Sequence, residues 1–108
     1  MAVFNTSQSP SQNVVIQGGV TPTIANVVCT LANTEYSYTL PTGTSKFKLQ
    51  ARGVTTTKLG TSIGTSGTTY FTIGAGNTYE DDGLTTAATL YFQCTQAAQV
   101  IEIISWTT

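Results

Sequence analysis

The stretch KFKLQARG, residues 46–53, alternates without a break. Phe47, Leu49 and Ala51 fall on one side, and Lys46, Lys48, Gln50 and Arg52 on the other. Successive side chains of an extended chain point to opposite faces. A period of two therefore means a strand with one face in an apolar core and the other in water. No stretch of the chain sustains the 3.6-residue apolar period of a helix, so almost no helix is expected.

Working outward from this strand, the same texture recurs. In ANVVCTLA (25–32), Val27, Cys29 and Leu31 are expected on one face, and in EYSYTL (35–40), Tyr36, Tyr38 and Leu40. Pro41-Thr42-Gly43-Thr44 then turns the chain. TTTKLGTSI, around Lys58–Ile63, is a weaker strand, and GTSG follows as a turn. TTYFTI puts Phe71 and Ile73 opposite Tyr70 and Thr72, and a short segment surrounds Tyr79. TLYFQC turns Leu90, Phe92 and Cys94 inward, and QVIEIISW sets Ile101 and Ile103 against Glu102. Turn signals recur roughly every eight to twelve residues, the pattern of an all-β domain. One antiparallel sheet of that size would leave a face bare, so two packed sheets are expected. The expected fold is all-β, an antiparallel two-sheet sandwich, jelly-roll-like, with an immunoglobulin-like sandwich or a small barrel as alternatives. Residues 1–23 are polar and punctuated, with one apolar cluster at Val14-Val15-Ile16, and read as an extended N-terminal arm before a domain over 24–108.

Composition narrows the function. The chain has 108 residues, one domain's worth, and only 8% are charged, against roughly 25% in typical chains. Thr, Ser, Gln, Asn and Gly make a nearly neutral polar surface, suited to life in an assembly. Four basic residues, Lys46, Lys48, Arg52 and Lys58, do not make the broad basic surface that nucleic acid requires, so no nucleic-acid partner is expected. No apolar run approaches the ~20 residues of a membrane span, and MAVFNTSQSPSQNVV lacks the form of a signal peptide, so the chain is expected to stay in the cytosol until something releases it.

The chain contains no histidine. Ser/His/Asp and Cys/His sites are thereby excluded within one chain, and a carboxylate pair would have to come from Glu35, Glu80, Asp81, Asp82 and Glu102. No catalysis and no cofactor are expected. GTSIGTSGTTY (60–70) is glycine-rich but lacks the lysine of a phosphate loop, and reads as turns. Cys29 and Cys94 are either two buried core thiols or a disulfide between sheets. GNTYEDDGL (76–84) gathers Glu80, Asp81 and Asp82. It reads as a solvated turn, with calcium as the rival; adjacent carboxylates in extended chain diverge, and the D-x-D-x-D-G spacing is missing. The tyrosines and Trp106 are core and sheet-face residues, or a sugar-stacking platform, or interface anchors.

The order of segments carries a resemblance. YSYTLPTGTSKFKLQARG, SGTTYFTIGAGNTYEDDGL and TLYFQC…AQVIEIISW follow one another over about residues 35–106. In texture and order this resembles the small all-β accessory virion proteins of tailed bacteriophages, of the capsid cement or decoration kind. The resemblance implies a structural protein on the outside of the virion, assembled in the host bacterial cytoplasm. It implies the major capsid protein as partner, and self-association as a homo-oligomer, a trimer first. Val14, Val15 and Ile16 would grip a neighbour by strand addition, with Tyr70 and Trp106 as further contact residues. The alternative is a carbohydrate-binding module on a phage capsid or tail fibre.

Overall fold

A computed structural model of the chain describes residues 21–83 and 88–107. Val14, Val15 and Ile16 lie outside the described residues. Eight strands follow in order: β1 (Thr21–Cys29), β2 (Tyr36–Thr39), β3 (Thr44–Ala51), β4 (Thr57–Gly60), β5 (Phe71–Ile73), β6 (Thr78–Asp81), β7 (Thr89–Cys94) and β8 (Gln99–Thr107). No helix forms among the described residues. The fold is all-β and sandwich-like, with two antiparallel four-stranded sheets, β1-β8-β3-β6 and β2-β7-β4-β5.

The pairings follow one rule. β1 lies against β8, β2 against β7, β3 against β6 and β4 against β5, so the chain runs out and back as a double ribbon. Two further pairings, β3 with β8 and β4 with β7, wrap that ribbon onto itself. Gly43 makes the ribbon's β2–β3 corner possible. Its φ of 87° is a conformation that a side chain opposes, and it lets the Thr44 amide donate to the Pro41 carbonyl at 3.2 Å.

Both sheets contribute to one core. Cys29, Phe47, Leu49, Ile101 and Ile103 come from the first sheet, and Leu59, Ile73, Leu90, Phe92 and Cys94 from the second. Each is an inward member of an alternating strand, so pattern becomes packing directly. β8 shows it best. Ile101, Ile103 and Ser105 are buried, their neighbours are not, and the strand is hydrogen-bonded on both sides.

Two expectations need correction, and a third segment keeps its expected register with less burial. Thr21, Pro22 and Thr23 were assigned to the arm, yet they pair with Thr107, Trp106 and Ser105 as the start of β1. β1 is an edge strand, which tolerates a proline. Leu31, expected inward beside Cys29, is exposed, because β1 stops at Cys29 and the chain turns through Asn33 at positive φ. Phe71 shares the register of Ile73 but not its burial. It sits on the three-residue edge strand β5, where its ring meets Tyr79 edge-on at 5.6 Å. Tyr79 in turn packs at 5.8 Å from Phe47, so these rings close the seam between the two sheets.

Candidate interaction surface

The outward face of the first sheet sets two exposed apolar side chains, Ile24 and Val28, beside Lys46, Lys48, Glu80 and Glu102. Strand register sets them in rows. One row runs Ile24–Ile104–Lys48–Glu80 across β1, β8, β3 and β6. The next runs Asn26–Glu102–Gln50–Thr78. Toward one end of the strands lie Val28 and Val100, and toward the other Trp106 and Lys46. The face is concave enough to hold a cavity of 520 Å³ bounded by Ile24, Ile104, Lys48, Gln50, Glu80 and Glu102 among others.

Its polar half is internally satisfied. Thr78 donates to Gln50 at 2.9 Å, Gln50 donates to Glu102 at 2.9 Å, and Arg52 donates to the other Glu102 oxygen at 2.7 Å. The Gln50 amide and the Arg52 guanidinium hold the Glu102 carboxyl below the usual glutamate range. Lys46 and Lys48 approach Glu80 at 3.4 and 3.9 Å. Such exposed pairs add only about 0–1 kcal/mol each to stability. Their effect on recognition is larger: no long-range field of one sign builds up over this face.

The apolar half lies along β1. Ile24 is 70% exposed and Val28 57% exposed, side by side with Ile104 and Val100. β1 is the outermost strand of its sheet, and no strand pairs with its other edge among the described residues. An edge backbone beside an apolar stripe is a template for an added strand or a flat partner.

The sequence-derived residues are not gathered in one place. Trp106 stands on this face, half-buried, with the Lys46 ammonium 5.1 Å from its ring centroid. Tyr70 precedes β5 in the other sheet, 41% exposed, with the Lys58 ammonium 4.9 Å from its ring centroid. The acidic run does not converge. Glu80 faces the lysines from β6, while Asp81 accepts from the Gly83 amide at 2.9 Å. Thus Glu80 and Asp81 are strand residues rather than loop residues, and among the described residues no group of three His, Cys, Asp or Glu is placed to hold a metal ion. No helix among them is long and apolar enough to cross a membrane.

Ile24 and Val28 were missed by sequence reasoning. The signal was present for Val28, which must point away from a core that takes Val27 and Cys29. Comparison with known proteins gave no match: no family model, no curated protein and no solved structure matches this chain.

Proposed function

We propose that the chain is a structural accessory protein of a phage virion, binding the outer capsid surface and bridging coat subunits. The observation that carries this reading is the β1 edge, where Ile24 and Val28 stand exposed on a strand whose outer edge is unpaired among the described residues. Gripping a coat subunit calls for such a place, where backbone hydrogen bonds and apolar area are gained together. The reading assigns no catalysis and no cofactor. Its partners are the major capsid protein and further copies of the chain, as a closed homo-oligomer with a trimer first. The strand order β1-β8-β3-β6 over β2-β7-β4-β5 supports a jelly-roll reading of the sandwich, an architecture used by both capsid and lectin domains.

That shared architecture keeps the carbohydrate-binding module as the competing reading, and the aromatic side chains weigh against it. Sugar stacking needs open ring faces on one flat surface. Tyr70 and Trp106 lie on different sheets, and a lysine ammonium sits over each ring. Tyr70 and Phe71 are adjacent in extended chain and point to opposite sides.

The test is co-sedimentation with capsids of the phage whose genome encodes the chain. The full chain should pellet with capsids, and a chain lacking residues 1–20 or carrying Ile24→Lys with Val28→Lys should stay in the supernatant. Equal pelleting by all three would overturn the assignment of the grip. Absence of pelleting by the full chain, together with retention on a glycan array, would move the function to sugar binding.

A further inference from the structure

The two cysteines come from different sheets and face one shared core. Cys29 ends β1 and Cys94 ends β7, and both are fully buried with 0% exposure. Both are thiols in the structure, and both belong to the same buried core cluster. The backbone around them is clamped from both sides. The Asn33 amide donates to the Cys94 carbonyl at 2.8 Å, and the Ala98 amide donates to the Thr30 carbonyl at 3.1 Å. These bonds tie the β1–β2 turn to β7 and the β7–β8 turn to β1, so the two strand ends cannot drift apart while the sandwich stands. Apart from them, the strand pairings near this end run within sheets, and the contact between sheets is side-chain packing.

We infer that Cys29 and Cys94 form an intersheet cross-linking site, open as two thiols in reducing surroundings and closed as a disulfide when the chain folds in the presence of a low-molecular-weight disulfide of the oxidised-glutathione class. One cysteine thiolate attacks a sulfur of the reagent and displaces one small thiol. The second cysteine attacks the resulting mixed disulfide, forms the Cys29–Cys94 bond and displaces the other. The protein thiols lose two electrons and two protons, and the reagent leaves as two thiols, so the exchange balances.

The folded chain restrains this reaction kinetically. Burial first, and then the neighbouring Cys94, push the Cys29 thiol up to about 12, and burial also raises Cys94. The attacking thiolate is scarce in the finished sandwich, on the order of one part in ten thousand at pH 8 for Cys29. The bond is therefore made during folding, when the sulfurs are still reachable, and the native geometry then selects it. Once made, it closes the long loop from the end of β1 to the end of β7, which takes in the second sheet and β3 and β6 of the first, and long loops gain most from closure in the chain-entropy account. This inference stands on the core geometry and not on the virion reading.

The test uses the full chain. Reduced protein is unfolded in denaturant, refolded by dilution into oxidised glutathione at pH 8, then denatured and treated with a maleimide before intact-mass measurement. The expected product is monomeric, lighter by two hydrogens and unlabelled, with a Tm at least about 5 °C above the reduced form. Folded reduced protein in the same buffer should cross-link at least about tenfold more slowly. Cys29→Ala and Cys94→Ala should each carry one glutathione or one maleimide instead. Two labelled thiols after oxidative refolding, glutathione adducts on both cysteines of the wild-type chain, or disulfide-linked dimers would overturn the inference. So would a cross-linked monomer with an unchanged or lower Tm.

Discussion

At the residue scale, Glu35 shows how a scarce charge is used. Its carboxylate accepts from the Gly64 amide at 2.8 Å, the Ser66 amide at 3.0 Å and the Ser66 hydroxyl at 2.6 Å. The glycine-rich stretch that lacked a phosphate-loop lysine thus folds around the protein's own anion. The Ser66 hydroxyl, then the two amides, hold the Glu35 carboxyl below its ordinary value. The sign follows from linkage. A depressed carboxylate contributes stability fully above its unfolded value of about 4.3, and loses it as pH falls through the folded value. Thermal melts between pH 7 and pH 3 should therefore show a shallower acid decline for Glu35→Gln than for the unchanged chain, and a lower Tm at pH 7. An identical acid limb would show that the carboxylate does not anchor the loop. Ser105 is the opposite case. Its hydroxyl is buried at 1% exposure without a hydrogen-bond partner among the described residues, at a cost of about 1–3 kcal/mol. Ser105→Ala should leave the urea midpoint unchanged or raise it, and a clear drop would mean that the hydroxyl has a partner. Neither role was legible in the sequence, where Glu35 and Ser105 look like any acidic and any small polar residue.

At the scale of elements, much was legible. KFKLQARG became β3 with Phe47 and Leu49 buried, and TLYFQC became β7 with Leu90, Phe92 and Cys94 buried. Alternation reports the buried apolar residues best where a strand has neighbours on both sides, as β3, β7 and β8 do. It fails at ends and edges, where Leu31 and Phe71 keep the period but lose the cover. β4 adds a constraint that no periodicity announces. A Cβ on Gly60 would stand 2.6 Å from the Thr65 hydroxyl, 3.0 Å from the Ser66 nitrogen and 3.2 Å from the Ser66 Cα. Backbone cannot yield as a side-chain tip does, so Gly60→Ala should lower stability by about 1–3 kcal/mol in urea unfolding. The cost should shrink in a Glu35→Gln background, where the loop is released to shift. Strict additivity of the two substitutions would separate the loop anchor from the strand. Phe92→Ala, removing a fully buried ring from β7, should cost about 3–5 kcal/mol by the same measurement.

At the scale of the whole molecule, the two-sheet architecture followed from counting alternating segments, but the order of strands within each sheet did not. Pairing β1 with β8 joins residues that no local pattern connects, and only the wrapped ribbon decides which strands become edges. The exposed β1 stripe was hidden for that reason. Ile24→Lys with Val28→Lys should change Tm by only a few degrees, because both side chains are already largely in water. Under the proposed reading, in which further copies of the chain are partners, native mass of the same protein should shift toward monomer; an unchanged oligomer would place self-association on another face. Sheet order also bears on how the chain is made. β8 lies between β1 and β3, so β1 has no partner in the first sheet until Gln99–Thr107 has been synthesised. At about 5–20 residues per second, β1 leaves the ribosome several seconds before its partner exists. Throughout that wait Ile24, Val27 and Val28 stand on an unpaired strand in a chain with few charges to keep nascent copies apart. Crowded translation should therefore be the condition under which this protein is most easily lost to aggregation.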